Sequence, residues 1–340
     1  MELYGGIDLH SNNSVLAIMN GEGERLYRRR LPNDLGVVKT ALAPYREHLK
    51  GLVVESTFNW YWLVDGLMEA GYRVHLANTT AIQQYNGLKY SDDDSDALFL
   101  AQLLRLGILP EGHIYPRAER GVRDLARKRA HLVRQRTANV LSIQNILQRS
   151  AAKRLKGDKV KQLKVAEVEP LVGSADVAVA VESTLQVTHC LDQQIARLEQ
   201  VVVERIKLRK EFGVRQSIPG VGTILALTIM LEAGPIGRFA QVGDFSSYCR
   251  CVSSARRSNG KLKGKGNVKN GNRYLAWAFV EAANFAVRYS APIRGFHQRK
   301  SAQTNAIVAT KAVAHKLARA AYHMLRQQKN FEVRMAFGAQ

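Results

Sequence analysis

The sequence predicts a chain of mixed class, with an α/β domain first and all-α regions after it. Strand and helix patterns alternate over the first hundred residues, which is typical of a layered α/β domain with a mixed sheet. Two long amphipathic helix patterns follow, with apolar residues at near-heptad spacing. The remaining residues are mainly helical and are interrupted by glycine-rich segments.

These patterns divide the 340 residues into three predicted domains, which fits the two or three domains expected for this length. Residues 1–112 are predicted to form the α/β domain. Residues 113–210 are predicted to form a basic coiled-coil arm, and residues 211–340 a helical domain.

The α/β domain is predicted to begin with three strands, separated by an asparagine turn and a glycine turn. These strands are Leu3–Leu9, Ser14–Asn20 and Glu24–Leu31. Asp34 is a favourable cap for a helix that extends to about Leu49. The other elements alternate and are strand Gly51–Glu55, helix Trp60–Ala70, strand Arg73–Leu76 and helix Asp93–Leu106.

Two long helices are predicted for the arm, at Arg117–Arg149 and Ala175–Leu208. A lysine-rich connection joins them, so we expect an antiparallel coiled coil that offers a dimer surface. In the helical domain, Pro219-Gly220-Val221-Gly222 resembles the turn of a helix-hairpin-helix, although many ordinary turns share this pattern. A basic glycine-rich loop and the helices Arg273–Tyr289 and Asn305–Gln328 follow.

Charge is distributed very unevenly along the chain, whose formal net charge is +21. Residues 1–110 contain 10 Lys and Arg against 13 Asp and Glu, whereas the rest of the chain contains 40 against 16. Such an excess predicts binding to a polyanion, because each basic residue can neutralise a phosphate. The residues expected to bind nucleic acid are Arg127, Arg134, Arg256, Arg257, Lys261, Lys263, Lys265, Lys269 and Arg273.

Several classes of protein are excluded by composition. No run of 18 apolar residues is present, so we expect no membrane-spanning helix, and the N-terminus lacks the features of a signal peptide. The three cysteines have no C-x-x-C spacing, which argues against a disulfide scaffold or a structural zinc site. We therefore expect a cytosolic protein.

Four carboxylates are the candidate metal ligands. Asp8 and Glu55 end two predicted strands, and Asp93 and Asp96 are one helical turn apart. Converging carboxylates suit Mg²⁺ or Mn²⁺, and two such ions can hold the attacking and leaving oxygens of a phosphodiester, as in ribonuclease H-like enzymes. Taken alone, Asp93 could be a helix cap and Glu55 a solvated turn residue.

Three serines lie in or beside the basic glycine-rich loop, at Ser253, Ser254 and Ser258. A serine hydroxyl becomes a nucleophile when a base or a metal assists it, and neighbouring Arg and Lys can stabilise charge on a phosphate. The alternative is a phosphate-binding loop in which the serines only donate hydrogen bonds. Spacing alone favours that alternative.

The combination of motifs resembles that of the transposases of the insertion-sequence one-ten family. The residues within the C-terminal motifs resemble those of its eleven-eleven subgroup. The N-terminal motifs are Gly6-Ile7-Asp8-Leu9-His10, Val54-Glu55-Ser56-Thr57 and Asp93-x-x-Asp96-Ala97. The C-terminal motifs are Ile218-Pro219-Gly220-Val221-Gly222, Arg257-Ser258-Asn259-Gly260-Lys261 and Gly271-Asn272-Arg273-Tyr274-Leu275.

This resemblance implies a RuvC-like N-terminal domain, a coiled-coil arm and a helical domain that carries a catalytic serine. It implies Asp8, Glu55, Asp93 and Asp96 as the metal-binding tetrad and Ser258 as the nucleophile that forms a phosphoserine link to DNA. Asp92 and Asp94 are rivals to Asp93, which alone keeps the three-residue spacing to Asp96. Many relatives have Ser-Gly where this chain has Ser-Asn-Gly, so Ser253 and Ser254 stay alternatives to Ser258.

The resemblance further implies a guide RNA encoded by the element (bridge or seeker RNA), donor and target DNA, and dimers that pair into tetramers. In such a tetramer the serine of one protomer completes the carboxylate site of another. The function expected of the chain is therefore RNA-guided DNA recombination in a bacterial cytoplasm. Two alternatives are a RuvC-like junction nuclease that uses water as its nucleophile and a non-catalytic scaffold that binds nucleic acid. The RNA prediction rests on the resemblance, since the sequence has no RNA-recognition motif.

Overall fold

The computed structural model describes residues 1–82, 93–206, 217–252, 255–265 and 270–338; the side chains of residues 93–95, 255–257, 262 and 265 lie outside this description. The chain divides into two compact units. The first contains Met1–Arg117 together with Ala255–Asn270, and the second contains Ala118–Ser254 together with Gly271–Gln340.

The first unit contains a six-stranded mixed sheet with the order β3-β2-β1-β4-β5-β6. Its strands are β1 (Leu3–Leu9), β2 (Asn13–Asn20), β3 (Arg25–Pro32), β4 (Leu49–Glu55), β5 (Val74–Ala77) and β6 (Glu111–Gly112). The first three strands are antiparallel, whereas β4 runs parallel to β1 and β5 runs parallel to β4. This sheet confirms the predicted α/β class and is consistent with a RuvC-like domain.

Helices cover both faces of the sheet. Helices α1 (Leu35–Leu42) and α2 (Tyr61–Glu69) contribute Val38 and Leu63 to a core that also contains Leu16 and Ile18 of β2. Helix α3 (Asp93–Arg105) packs on the other face, where Ala97 contacts Val15 and Ala17. Every residue of β1 except one is buried, so this strand lies at the centre of the layers.

Within residues 1–117, two features differ from the sequence prediction. Asp34 caps α1 as expected by accepting a hydrogen bond from the Val37 amide at 2.9 Å, but the helix ends at Leu42 instead of near Leu49. A 3₁₀ turn containing Pro44 follows, because proline has no N–H group and cannot continue the regular helix. Strand β6 was not predicted, since two residues are too short to carry a periodic pattern.

The second unit begins with two long helices, α4 (Arg117–Ala151) and α7 (Ala175–Ile206), whose predicted bounds are correct to within two residues. Ion pairs of Arg129 with Glu199 and of Arg136 with Asp192 show that the two helices run antiparallel. The connection between them contains two short helices that the sequence did not predict, α5 (Gly157–Gln162) and α6 (Val168–Val172). The coiled-coil character of the pair stays a prediction.

Six further helices form the rest of the described second unit. They are α8 (Thr223–Ala233), α9 (Val242–Tyr248), α10 (Arg273–Tyr289), α11 (Ala291–Gln303), α12 (Ala306–Gln327) and α13 (Val333–Phe337). Phe245, Phe279 and Leu317 are fully buried at the centre of this helical body. None of the helices in the described ranges is long and apolar enough to cross a bilayer.

The predicted helix-hairpin-helix is described only from its turn onward. Gly220 has a φ of 80°, and a Cβ at this position would lie 2.5 Å from the Phe285 Cβ. This glycine is therefore required for the turn to pack against α10. Residues 207–216, which would contain the first helix of the motif, lie outside the described residues.

The segment predicted as a basic loop contains a β-hairpin formed by β7 (Ala255–Ser258) and β8 (Lys261–Lys265). Ser258 pairs with Lys261 across a two-residue turn, in which Asn259 has a φ of 50° and Gly260 a φ of 73°. Asn-Gly is the preferred sequence for such a turn, because both residues tolerate the left-handed conformation. The loop prediction was therefore wrong, and the Asn-Gly pair was the signal that could have corrected it.

Candidate active site

Asp8 and Glu55 lie side by side where two parallel strands end. Asp8 is the penultimate residue of β1 and is 4% exposed, while Glu55 is the last residue of β4. Ile7 pairs with Val54 in the parallel ladder, so the next residue of each strand reaches the same edge of the sheet. The two carboxyl groups are joined by a side-chain hydrogen bond.

Helix α3 brings Asp96 to the same place because it approaches β1 very closely. A Cβ at Gly6 would lie 2.1 Å from the backbone oxygen of Ala97 and 2.9 Å from the backbone nitrogen of Ala101. Gly6 and Asp8 are on the same face of β1, since alternate residues of a strand share a face. The close approach therefore places the first turn of α3 beside Asp8. This role of Gly6 was not predicted from the sequence, although a glycine inside a strand is a known sign of close backbone approach.

The charges of the three carboxylates act on one another. The pKa of Glu55 is raised from its usual 4.5 to about 8, first by burial, then by the hydrogen bond with Asp8 and by the charges of Asp8 and Asp96. Burial disfavours a charged carboxylate, and neighbouring negative charges disfavour it further. Glu55 is therefore protonated at neutral pH unless a cation is present.

The loop after β1 is fixed by two asparagines. The backbone oxygen of His10 accepts hydrogen bonds from Asn33 Nδ2 at 3.0 Å and from Asn59 Nδ2 at 2.9 Å. The Nε2 atom of His10 lies 3.2 Å from Oδ2 of Asp8. Asn33, Asn59 and His10 were not predicted as site residues. They hold the chain that follows Asp8 in a defined position.

The carboxylates fit a divalent cation by their chemistry. They are hard oxygen donors of the type that Mg²⁺ and Mn²⁺ prefer. Burial is the main cause of the raised pKa of Glu55, and the charges of Asp8 and Asp96, which a cation would neutralise, add to it. Among the described side chains, no group of three or more His, Cys, Asp or Glu residues could by itself hold a metal ion. Helix α3 starts at Asp93, but the side chain of this predicted fourth ligand lies outside the description, as do its rivals Asp92 and Asp94.

Ser258, the predicted nucleophile, is exposed at the end of β7 next to the hairpin turn. Its hairpin belongs to the same compact unit as Asp8, Glu55 and Asp96, although in sequence it is an insertion in the helical body. The alternatives Ser253 and Ser254 lie outside the described residues.

The basic residues predicted to bind nucleic acid have different surroundings. Lys261, Lys263, Arg273 and Arg134 are exposed. Arg127 instead forms a two-fold hydrogen-bonded ion pair with Glu232 and lies over the ring of Tyr274. The side chains of Arg256, Arg257 and Lys265, and all of Lys269, are outside the description.

Comparison with known proteins decides the family. Residues 5–151 match a model for the DEDD-type IS110 domain described as "Transposase", and residues 215–298 match one described as "Transposase IS116/IS110/IS902 family". Together the two matches cover about two thirds of the chain. The chain belongs to the IS110 transposase family. The first match contains Asp8, Glu55, Asp93 and Asp96, and the second contains Ser258.

This IS110-family chain is also similar to a curated relative, the "Transposase for insertion sequence element IS1111A" of Coxiella burnetii (strain RSA 493 / Nine Mile phase I). The two sequences are 25% identical over 227 residues, which is 63% of this chain. The match spans 60% of the relative's length, or about three fifths.

Proposed function

We propose that this IS110-family chain is an RNA-guided DNA recombinase that moves an insertion sequence by cutting and rejoining DNA strands. The observation that carries the proposal is that Asp8 and Glu55 reach the same edge of the sheet, beside the first turn of α3, which contains Asp96. Such a group of carboxylates is suited to phosphodiester chemistry with divalent metal ions. The basic hairpin with exposed Ser258 adds a second chemical group in the same compact unit.

Ser258 is the proposed nucleophile. Its Oγ atom would attack a DNA phosphorus and lose its proton, forming a phosphoserine bond while one phosphorus–oxygen bond to deoxyribose breaks. The released deoxyribose oxygen takes up a proton and becomes a hydroxyl. A second DNA hydroxyl then reverses the step on another strand. The number of phosphoester bonds is unchanged, so rejoining needs no ATP.

Mg²⁺, or Mn²⁺ in its place, is the proposed cofactor, with Asp8, Glu55, Asp93 and Asp96 as its ligands. The metal would neutralise the carboxylates and draw negative charge from the phosphate oxygens. Lys261, Lys263 and Arg273 would hold the DNA backbone near Ser258, because exposed Lys and Arg side chains are the usual partners of phosphates.

The proposed partners are donor DNA, target DNA, a guide RNA encoded by the element and further copies of the chain. The net charge of +21 supports binding to nucleic acid. The guide RNA, the assembly of dimers into tetramers and the bacterial cytoplasmic location are supported by family membership.

A suicide-substrate assay tests the proposal. Wild-type protein, guide RNA, Mg²⁺ and labelled donor and target DNA are incubated, and the products are separated on a denaturing gel. We expect a covalent protein–DNA adduct that is lost in Ser258→Ala and in Asp8→Ala. Ser183→Ala is the matched control, because Ser183 is an exposed serine on α7. A guide of scrambled sequence tests the RNA requirement.

Three results would contradict the proposal or part of it. Cleavage by Ser258→Ala without any adduct would favour the junction nuclease, in which water is the nucleophile. An adduct that persists in Ser258→Ala but maps to Ser253 or Ser254 would move the nucleophile. The absence of any metal-dependent cleavage would favour a binding scaffold.

A further inference from the structure

The two chain segments that flank the Ser258 hairpin meet at its root. Arg250 precedes the hairpin, and its Nε and Nη2 atoms donate hydrogen bonds to the backbone oxygen of Gly271, at 3.1 and 2.8 Å. The backbone N–H of Asn272 donates a hydrogen bond to the backbone oxygen of Tyr248 at 2.6 Å. The chain segments before and after the hairpin are therefore hydrogen-bonded to each other within the helical body.

The backbone at this root is under constraint. Arg250 has a φ of 53°, a left-handed conformation that a non-glycine residue adopts only when its surroundings hold it there. Gly271 has a φ of 91°, and a Cβ at this position would lie 2.6 Å from the Tyr248 oxygen. The backbones at Tyr248 and Gly271 therefore lie closer together than a side chain at residue 271 would permit.

A buried carboxylate extends the root into the helical body. Glu232 of α8 is 2% exposed and accepts a hydrogen bond from Asn272 Nδ2 at 2.7 Å. It also accepts two from Arg127 of α4, at 2.6 and 2.7 Å. Removing a partner from such a buried ion pair leaves an uncompensated charge, so the arrangement is strongly specified.

Asn272 joins the two parts of this network. While its Nδ2 atom donates to Glu232, its Oδ1 atom accepts hydrogen bonds from the amides of Tyr274 and Leu275 and so caps α10. The first residue after the hairpin root is therefore tied to the start of one helix and, through Glu232, to the long helix α4.

We propose that Arg250, Asn272 and Glu232 are positioning residues. They hold together the two chain segments that lead to and from the serine hairpin, and the ion pair of Glu232 with Arg127 ties this junction to helix α4. This inference rests on the proposed function, in which Ser258 must meet a DNA phosphate. Small displacements of a reacting group reduce rates strongly, so the chain segments that lead to Ser258 need a defined position. We name these residues the root clamp.

Two substitutions open the root clamp without removing positive charge from the hairpin. Arg250→Lys keeps the charge but cannot place two N–H groups on the Gly271 oxygen. Asn272→Asp keeps the cap of α10 but loses the donor to Glu232 and sets two carboxylates against each other. Arg294→Lys is the matched control, because Arg294 also bonds backbone oxygens, those of Val287 and Arg288, at a different junction.

The rate of chemical labelling of Cys251 reports whether the root clamp is closed, and this measurement does not depend on activity. Cys251 follows Arg250 directly, and burial raises the pKa of its thiol to about 12, so it should react slowly with a thiol reagent. In a Cys190→Ser background, which removes the exposed thiol, labelling of Cys251 is followed by mass spectrometry. We expect Cys251 to be labelled on the order of tenfold faster in both clamp variants, because each loses a hydrogen bond to a charged group. The labelling rate should not change in Arg294→Lys.

The adduct assay supplies the functional reading. At saturating DNA we expect adduct formation on the order of tenfold slower in the clamp variants, with DNA affinity unchanged, as misplacement of the nucleophile requires. Combining Asn272→Asp with Glu232→Gln re-creates a donor and an acceptor and should restore part of the rate. A merely structural role would lower DNA affinity and the adduct rate together.

The outcomes separate the clamp from the proposed function. Unchanged Cys251 labelling in both clamp variants overturns the clamp. Faster labelling with an unchanged adduct rate overturns its positioning role. If wild-type protein forms no adduct at Ser258, the proposed function fails and the positioning role fails with it, while Cys251 labelling still decides whether the root is closed.

Discussion

The carboxylate edge and the serine hairpin, which carry the two proposed halves of the chemistry, are built in opposite ways. Asp8 and Glu55 end adjacent strands of a buried sheet, and Asp96 lies on a helix that touches the sheet backbone at Gly6. Ser258 is exposed on a hairpin of two short strands. The chain segments before and after this hairpin are bonded to each other at Arg250 and Gly271. The carboxylate edge is therefore fixed by packing within its sheet and helix, whereas hydrogen bonds hold together the two segments that lead to and from the Ser258 hairpin.

The difference predicts how each half responds to change. Substitutions at the carboxylate edge should change both the stability and the activity of the protein, because charge and packing are combined there. Substitutions at the hairpin should alter activity with little effect on global stability.

The largest effect is expected for Asp8→Asn. The change should reduce Mg²⁺-dependent adduct formation by roughly 10²–10³-fold, the usual loss when a group that stabilises transition-state charge is removed. In metal-free protein the same change should keep or raise the melting temperature. It removes a buried charge, while the side-chain oxygen of Asn can still accept a hydrogen bond from the protonated Glu55 carboxyl group. Calorimetry without metal and the adduct assay with metal measure the two effects; a large loss of stability would contradict this account.

Gly6→Ala should be the next largest effect. The new Cβ would overlap the backbone of α3 at Ala97, which cannot move without displacing the helix, so we expect a loss of about 1–3 kcal/mol in the free energy of unfolding. Gly5→Ala is the matched control, because its Cβ would meet only the flexible tip of Leu52 at 2.5 Å. Denaturant unfolding of the two variants compares them directly. Equal losses would show that close approach of α3 is not the reason for Gly6.

The pH dependence of stability sharpens the comparison further. The folded protein raises the pKa of Glu55 to about 8 from 4.5, so it binds more protons than the unfolded chain between these values. Stability of metal-free protein should therefore fall as pH rises through this interval. Melting temperatures at about pH 5 and pH 8 should differ less in Glu55→Gln than in wild type. Equal differences in the two proteins would assign the effect to other groups.

The smallest change in stability is expected for Gly260→Ala. A side chain at a φ of 73° should weaken the hairpin turn by roughly 1–2 kcal/mol. Because Ser258, Asn259, Gly260 and Lys261 of the turn are exposed, the melting temperature of the whole protein should hardly change while the adduct rate falls. Ala substitution at Gly21, which has open space around it and no positive φ, is the control. A fall in melting temperature with Gly260→Ala would show that the hairpin supports the core.

Much of the fold could be predicted because it depends on local patterns. The bounds of β1, α4 and α10 follow from alternation or helical periodicity and agree closely with the structure. The helical pattern of α1 continues beyond its true end, which precedes Pro44. The hairpin is hard to predict because glycine and lysine obscure its short strand pattern.

Some residues of the candidate site could be predicted from the sequence in the same way, and others could not. Asp8, Glu55 and Asp96 could be named because each stands at the end of an element that the sequence predicts. Glu232 could not, since a glutamate in an apolar helix carries no sign that Arg127 and Asn272, 105 and 40 residues distant, will surround it. Arg127 was predicted to bind nucleic acid for the same reason, because sequence shows its charge but not its partner.

The sequence by itself determined the order of the elements, the positions of the carboxylates at their ends and the basic character of the chain beyond the first domain. These properties depend on residue type and on neighbours within a few positions. Tertiary structure alone decided how close α3 comes to β1, how strongly Glu55 is coupled to Asp8, and which segments close the hairpin root. Each of these depends on the distance between atoms far apart in sequence, and packing sets that distance.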